Sequence, residues 1–125
     1  MRKTISTEKA PAAIGPYSQG VSVGRFIFVS GQLPMDPGTM KIVEGGIEVQ
    51  TKQALENLKA VLDEAGTCIN NVVKTTLFIK DMEEFSTINK IYATYFRDNK
   101  PARACVEVAR LPMDVKIEIE AIAII

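Results

Sequence analysis

The C-terminal stretch reads PARACVEVARLPMDVKIEIEAIAII over residues 101–125, and its pattern of side chains predicts strands. Polar and apolar side chains alternate over residues 102–108 and again over residues 115–121, and the second run continues as apolar residues to 124. Alternation with a period of two is typical of β-strands that have one face buried. The pattern therefore predicts two final strands, separated at Leu111-Pro112 because proline interrupts a strand.

If these two strands pair as an antiparallel hairpin, one face of the hairpin is charged and the other is apolar. Pairing Ala109 with Asp114 places Arg103 opposite Glu120, and a slip of two residues places it opposite Glu118 instead. In either register the charged face holds Arg103, Cys105, Glu107, Lys116, Glu118 and Glu120. The other face holds Ala102, Ala104, Val106, Val108, Val115, Ile117, Ile119 and Ala121, and we expect it to lie under helices.

A second hairpin is predicted near the N-terminus, from residues 18–23 and 26–33. Gly24-Arg25 joins the two runs, and a leading glycine in a two-residue connection favours a type II′ turn. Residues 34–46 are rich in glycine and proline and predict a loop.

Two helices are predicted in the middle of the chain. Apolar residues recur at helical spacing over residues 49–65, and Gly66 supplies a C-terminal stop. Residues 72–79 are rich in β-branched residues and predict a strand. Residues 81–84 resemble a capping box that opens the second helix, whose apolar stripe comprises Phe85, Ile88, Tyr92, Tyr95 and Phe96.

This order of elements predicts a single domain over residues 1–125, of α/β (α+β) class, with a mixed sheet and both helices on one face. The opposite face is then short of cover. Phe26, Phe28, Ile122 and Ile124 cannot lie under the helices if their neighbours in sequence do, because successive side chains alternate between faces. Another copy of the chain would cover them, so we expect a homo-oligomer packed through its sheets.

The composition excludes several kinds of site. The chain has 125 residues, no histidine, and 15 Lys and Arg against 15 Asp and Glu. Without histidine there is no Ser-His-Asp triad, no Cys-His pair and no His-ligated zinc. A net charge of zero gives no basic field, which disfavours nucleic acid as a partner.

Cys68 and Cys105 form no CxxC motif, so neither a redox pair nor a metal site is indicated. Reduced thiols are typical of the cytoplasm. The chain contains no apolar run of the length of a signal peptide or a membrane span. We expect a soluble cytoplasmic protein that does not bind membranes.

Arg103 has two interpretations that the pattern alone leaves open. It either forms a cross-strand ion pair with a glutamate or clamps a ligand carboxylate, for which its planar fork is suited. Likewise, Glu118 and Glu120 either belong to a solvated strand face or include one glutamate that faces a ligand. Cys105 fits a small buried apolar residue better than a nucleophile, because no histidine activates it.

Longer motifs identify a family. PARACVEVARLP (residues 101–112), followed by KIEIEAIAI, resembles the signature of the RidA (YjgF) reactive intermediate deaminase family. APAAIGPYSQG (10–20), FVSGQLP (28–34) and VVKTTLFIKDMEEFSTINKIYATYF (72–96) fit the same pattern in the same order. The resemblance extends over essentially the whole chain.

The resemblance implies a chorismate-mutase-like fold assembled as a homotrimer, with clefts between subunits. It implies hydrolysis of 2-imino acids, such as 2-iminobutanoate and 2-iminopropanoate, to 2-oxo acids and ammonia, with no metal and no cofactor. By matching position, Arg103 would clamp the substrate carboxylate and Glu118 would position the attacking water. Further cleft positions would be Tyr17, Ser30, Gly31, Asn89 and Cys105, the last through its backbone.

Two residues depart from the family pattern. Lys100 stands where an aromatic residue commonly precedes Pro-Ala-Arg, and Met40 stands where glycine is common. Two alternatives to the imine hydrolase remain: a non-catalytic module that binds small carboxylates, and cleavage of RNA, which the neutral charge disfavours.

Overall fold

The computed structural model describes residues 1–125, which form eight regular elements and three short 3₁₀ turns. The strands are β1 (Arg2–Ile5), β2 (Gly20–Val23), β3 (Phe26–Gln32), β4 (Val72–Ile79), β5 (Ala102–Glu107) and β6 (Ile117–Ile124). The helices are α1 (Ile47–Glu64) and α2 (Phe85–Tyr95), and the 3₁₀ turns are Ile69–Asn71, Met82–Glu84 and Pro112–Asp114.

One six-stranded sheet has the order β1-β2-β3-β6-β4-β5. Strands β4 and β5 are parallel and every other neighbouring pair is antiparallel. Both helices pack on one face, so the predicted mixed sheet with two helices on one side is confirmed. The sequence did not predict β1, because this edge strand has only four residues, of which Ile5 alone is buried.

The local turn signals act as expected. Gly24 has a φ of 59°, and Arg25 is not among the residues with positive φ, as a type II′ turn requires. Helix α1 begins at Ile47, two residues before the predicted start, and Gly66 follows its end with a φ of 83°. Strand β4 has the predicted bounds.

The capping box before α2 forms only in part. The Asp81 carboxylate accepts a hydrogen bond from the Glu83 backbone N–H at 2.9 Å. The Glu84 carboxylate lies 3.7 Å from Lys116 Nζ instead. The chain therefore makes a 3₁₀ turn first, and α2 begins at Phe85.

The two faces of the sheet differ as the alternation predicts. Under the helices, Ile27, Val29, Ile117 and Ile119 are buried. On the opposite face, which we call the open face, Phe26 is 52% exposed and Phe28 is 44% exposed. The open face therefore presents large apolar side chains to solvent.

The predicted hairpin of the last two strands is wrong. Strand β4 lies between β5 and β6, and β5 pairs with β4 in parallel. The physical reason is the connection: α2 crosses over the sheet, and a helical crossover brings the next strand back parallel to the first.

The faces assigned to β5 are therefore also wrong. Arg103 pairs with Thr75, whose hydroxyl lies 2.7 Å from the Tyr92 hydroxyl of α2. Arg103, Cys105 and Glu107 consequently share the helix side of the sheet. Ala102, Ala104 and Val106 lie on the open face, where Val106 is 42% exposed.

Candidate functional site

A β-bulge interrupts the pairing of β3 with β6. Val29 pairs with Ala121 and Gln32 pairs with Ile119, so Ser30 and Gly31 together oppose the single residue between those partners. Bulges bend a strand and redirect side chains, and they are over-represented next to active sites. Two predicted site residues, Ser30 and Gly31, form this bulge.

The carboxylate of Glu118 lies directly over Gly31. A Cβ added at Gly31 would overlap Glu118 Oε2 and lie 2.7 Å from Glu118 Cδ. Only glycine leaves room for this approach. Burial of the carboxyl group raises the pKa of Glu118 above its ordinary value, and the nearby charge of Glu120 raises it further.

Glu118 and Gly31 open into a cavity of about 550 Å³, which Tyr17 and Ser30 also line. We call this the Glu118 cavity. The Ser30 hydroxyl donates to the Ser18 carbonyl at 2.5 Å, which fixes the start of the bulge. Four of the predicted site residues therefore meet in one place.

Gln19 is a positioning residue that the sequence analysis did not identify. Its buried side-chain amide donates to the carbonyls of Ala10 and Pro11, at 3.2 and 2.7 Å, and its Oε1 accepts from the Thr7 N–H. These bonds tie down the irregular N-terminal segment that forms one wall of the Glu118 cavity. The sequence feature that could have identified Gln19 is its position directly after the turn motif GPYS.

Arg103 is held from three directions by α2. Its Nη1 donates to Asn89 Oδ1 at 2.7 Å. Its guanidinium carbon lies 5.3 Å from the centre of the Phe85 ring and 4.9 Å from that of Tyr92. Cation–π contacts of this kind orient the fork without using its N–H groups, so donors remain free in an exposed position.

The surroundings of Arg103 form another cavity, of about 430 Å³, which we call the Arg103 cavity. Asn89 and Lys100 line it. Cys105 follows two residues later on the same side and is partly buried; burial raises the pKa of its thiol, and the charge of Arg103 opposes that rise. The raised pKa favours the protonated thiol, which is the poorer nucleophile.

The two cavities lie on opposite faces of the sheet. Tyr17, Ser30, Gly31 and Glu118 surround the Glu118 cavity. Asn89 belongs to α2, and Arg103 and Cys105 lie beside that helix. The expectation that Arg103 and Glu118 share a face of one chain is wrong, for the reason given for β5. Arg103 forms no cross-strand ion pair with Glu118 or Glu120, because its polar partner is Asn89.

No group of three Cys, Asp or Glu side chains converges in a way that could hold a metal ion. Neither α1 nor α2 combines the length and the apolarity needed to cross a membrane.

The chain is similar to known proteins over nearly its whole length. It is 54% identical over 127 residues to a 2-iminobutanoate/2-iminopropanoate deaminase of Salmonella typhimurium, with 99% of this chain and 98% of that protein covered. The crystal structure of the YjgF gene product of E. coli superposes with a TM-score of 0.93 at 52% identity, covering 98% of each chain. That of E. coli TdcF with bound serine superposes with a TM-score of 0.94 at 47% identity, again covering 98% of each.

The family model described as Endoribonuclease L-PSP matches residues 7–125. Sequence identity and fold therefore agree on the family of the chain. The chain belongs to the Endoribonuclease L-PSP family, the family of the RidA (YjgF) proteins.

Proposed function

We propose that this protein hydrolyses 2-imino acids, such as 2-iminobutanoate and 2-iminopropanoate, to the 2-oxo acid and ammonia. The observation that carries the proposal is the 54% identity, over almost all of both chains, to a protein named for that activity. In the reaction, water adds to the C=N carbon, the C–N bond breaks, and the nitrogen leaves as ammonia.

Glu118 is proposed as the group that orients the water and accepts its proton. Its partly buried carboxylate faces the Glu118 cavity, and its raised pKa makes it a better base than an ordinary glutamate. General-base assistance of this kind contributes roughly 10²- to 10⁴-fold. Because the iminium carbon is already electrophilic, positioning and proton transfer suffice, and we propose a reaction without metal or cofactor.

Arg103 is proposed as the clamp for the substrate carboxylate. Its fork is held in one orientation by Asn89, Phe85 and Tyr92, which leaves N–H donors to bind a carboxylate in a bidentate manner. The serine bound to the related TdcF is an amino acid with such a carboxylate. Tyr17, Ser30, Gly31 and Asn89 are proposed to line the substrate site, together with the backbone of Cys105.

A site that contains both Arg103 and Glu118 needs two copies of the chain. The two residues lie on opposite faces in one copy, and the exposed Phe26 and Phe28 supply an apolar surface between copies. We therefore propose a homotrimer with three clefts, each formed by the Glu118 cavity of one copy and the Arg103 cavity of its neighbour. The free thiols Cys68 and Cys105 support a cytoplasmic location for this single domain of residues 1–125.

The activity is tested by coupling a threonine dehydratase to detection of the 2-oxo acid, with semicarbazide present to trap the free imine. Addition of the protein should divert the imine from the trap and raise the rate of 2-oxo acid formation. Glu118→Gln is the matched control, because it keeps the size of the side chain and removes the base.

Two other outcomes would replace the proposal. If the wild type and Glu118→Gln bind a small carboxylate equally and neither accelerates hydrolysis, the protein is a binding module. Cleavage of RNA, the activity in the family description, is disfavoured by the net charge of zero. It would be indicated by RNA degradation that Arg103→Lys abolishes.

A further inference from the structure

Thr75 is a buried polar residue that the proposed chemistry does not use. The other buried side chains of β4 are apolar, namely Val72, Leu77 and Ile79, whereas Thr75 is polar and fully buried. Its hydroxyl lies 2.7 Å from the hydroxyl of Tyr92, which is buried on α2. Because a buried hydroxyl is unfavourable without a hydrogen bond, each of these two groups depends on the other for a partner.

This pair of hydroxyl groups lies next to Arg103. Thr75 is the partner of Arg103 in the parallel pairing of β4 with β5, so the two residues stand side by side in the sheet. The side chain of Tyr92 reaches both of them: its hydroxyl meets Thr75, and its ring centre lies 4.9 Å from the guanidinium carbon of Arg103. The hydrogen bond therefore ties the ring to the strand position beside the arginine.

The ring of Tyr92 is held at a second point by Phe96. The two ring centres are 4.4 Å apart, and Phe96 is buried. The torsion about the Cβ–Cγ bond of a tyrosine has broad minima, so a packed neighbour and an anchored hydroxyl restrict it. These residues all belong to one copy of the chain, so the arrangement needs no contact from a neighbouring copy.

The hydroxyl of Tyr92 is not needed for the contact with the guanidinium itself. Phe85 makes the same kind of contact, at 5.3 Å, without a hydroxyl. Burial raises the pKa of the Tyr92 phenol, although its hydrogen bond with Thr75 and the charge of Arg103 oppose the rise. The phenol is therefore neutral near pH 7 and forms no ion pair with Arg103. What the hydroxyl adds is a fixed position for the ring.

We propose that Thr75 and Tyr92 are positioning residues, which set the orientation of the Arg103 guanidinium for the carboxylate of the substrate. The inference rests on the proposed function, because the carboxylate is that of the 2-imino acid. Both residues act through Arg103 rather than on the reacting atoms. A guanidinium makes two parallel hydrogen bonds to a carboxylate only when their planes are aligned, so a ring free to turn would weaken binding.

The test measures binding of 2-oxobutanoate by calorimetry, and steady-state kinetics on 2-iminobutanoate supplied by threonine dehydratase. Tyr92→Phe keeps the ring and removes its hydroxyl, and Thr75→Val removes the other partner at nearly constant size. Loss of one hydrogen bond corresponds to about a fivefold change, so we expect Kd and KM to rise about fivefold in each variant. We expect kcat to change less than about twofold, because the carboxylate does not react and is bound alike in the ground state and the transition state.

Two further variants are controls for the hydroxyl groups. Tyr95→Phe is the matched control, because Tyr95 also belongs to α2 and its hydroxyl donates to Glu56 on α1. It should leave Kd and KM unchanged. Thr75→Ser keeps a hydroxyl at position 75 and should restore both values to within about twofold of the wild type.

A double variant separates positioning of Arg103 from a general structural role. In an Arg103→Lys background, Tyr92→Phe should cause no further loss of kcat/KM, because no fork is left to orient. A hydrogen bond that only holds α2 on the sheet would give the same loss in both backgrounds. Circular dichroism and sedimentation velocity show whether each variant is folded and assembled. If Thr75→Val does not fold, Tyr92→Phe decides alone, since it leaves no buried hydroxyl on the ring.

Three results would overturn the inference: an unchanged Kd in Tyr92→Phe, an equal rise in Tyr95→Phe, or a further loss in the Arg103→Lys background. The calorimetric measurement also separates the inference from the proposed function. Hydrolysis of the imine without the difference in Kd would keep the proposed function and remove the positioning role. The difference in Kd without hydrolysis would keep the positioning role and remove the proposed function.

Discussion

The guanidinium of Arg103 is oriented by an amide and two aromatic rings rather than by an acidic partner. An acidic partner would occupy the N–H donors that a ligand needs, whereas the ring faces leave most of them free. The contacts that hold Arg103 are thus compatible with its use as a clamp.

Arg103→Lys should therefore lose activity while the fold and the assembly persist. Lysine keeps the charge but cannot make two parallel hydrogen bonds to a carboxylate. Loss of a charge-assisted hydrogen bond predicts a fall of about 10- to 100-fold in kcat/KM. Steady-state kinetics measures the fall and sedimentation velocity measures the assembly. Arg97→Lys, an exposed change near the end of α2, is the control, and near-normal turnover of Arg103→Lys would remove Arg103 from the role.

The pH dependence of the reaction should respond to Glu120. In the proposed mechanism Glu118 acts as a base only when it is deprotonated, so we expect activity to fall as the pH drops through its raised pKa. Glu120→Gln removes one cause of the rise, so the acidic limb of kcat/KM should move to lower pH.

Profiles of kcat/KM against pH for the wild type, Glu120→Gln and the distant variant Glu64→Gln measure this shift. An unchanged limb in Glu120→Gln, or an equal shift in Glu64→Gln, would show that the limb reports another group.

For single residues, the sequence predicted which side chains have suitable chemistry better than it predicted where those side chains lie. The motifs identified Glu118, and the alternation left Glu120 as an equal choice. The structure shows that their surroundings differ: Glu118 is partly buried over Gly31, whereas Glu120 is exposed. That contact depends on the bulge in β3. The pattern of residues 26–33 does not predict a bulge.

Among the elements, the approach of β6 to the bulge of β3 determines where Glu118 lies. Gly31→Ala should displace the carboxylate, because the added Cβ would overlap Oε2. The expected result is a loss of roughly 10²-fold in kcat, the lower end of what a general base supplies. Gly46→Ala is the matched control, since a Cβ there meets nothing within 4 Å. Full activity of Gly31→Ala would mean that the position of Glu118 over the bulge is unimportant.

Strands β5 and β6 show what sequence periodicity can determine. In β6 the isoleucines at 117 and 119 fix the buried face, and that prediction is confirmed. In β5 the alanines and Val106 suggested the buried face, yet Arg103 and Cys105 lie on the helix side. The small apolar residues of this edge strand do not favour burial of either face. The parallel register with β4 therefore determines which face of β5 lies under the helices. Register between distant segments is not encoded in local alternation.

At the scale of the whole molecule, the open face should control assembly. Phe28→Glu places a charge on that face, next to Ile122 on β6. We expect a folded monomer without activity, because charge in an apolar interface is costly to bury. Val49→Glu is the control: Val49 is 46% exposed on α1, outside the open face. Circular dichroism and sedimentation measure folding and mass, and an active Phe28→Glu monomer would contradict the shared site.

Mixed assemblies test the shared site directly. Arg103→Lys and Glu118→Gln should each retain at most about a tenth of the wild-type activity alone. Coexpressed in equal amounts, they should recover about a quarter of the wild-type activity, because a cleft is intact only when each copy contributes its unaltered residue. If both residues acted within one chain, coexpression would recover nothing.

The placement of Arg103 and Glu118 on opposite faces has a consequence for dosage. An isolated copy would have no activity, so the rate of imine hydrolysis would depend on how many copies are assembled. Where the proposed trimers are scarce, their number would grow with about the third power of chain concentration. Under those conditions a modest drop in expression would reduce imine clearance far more than in proportion.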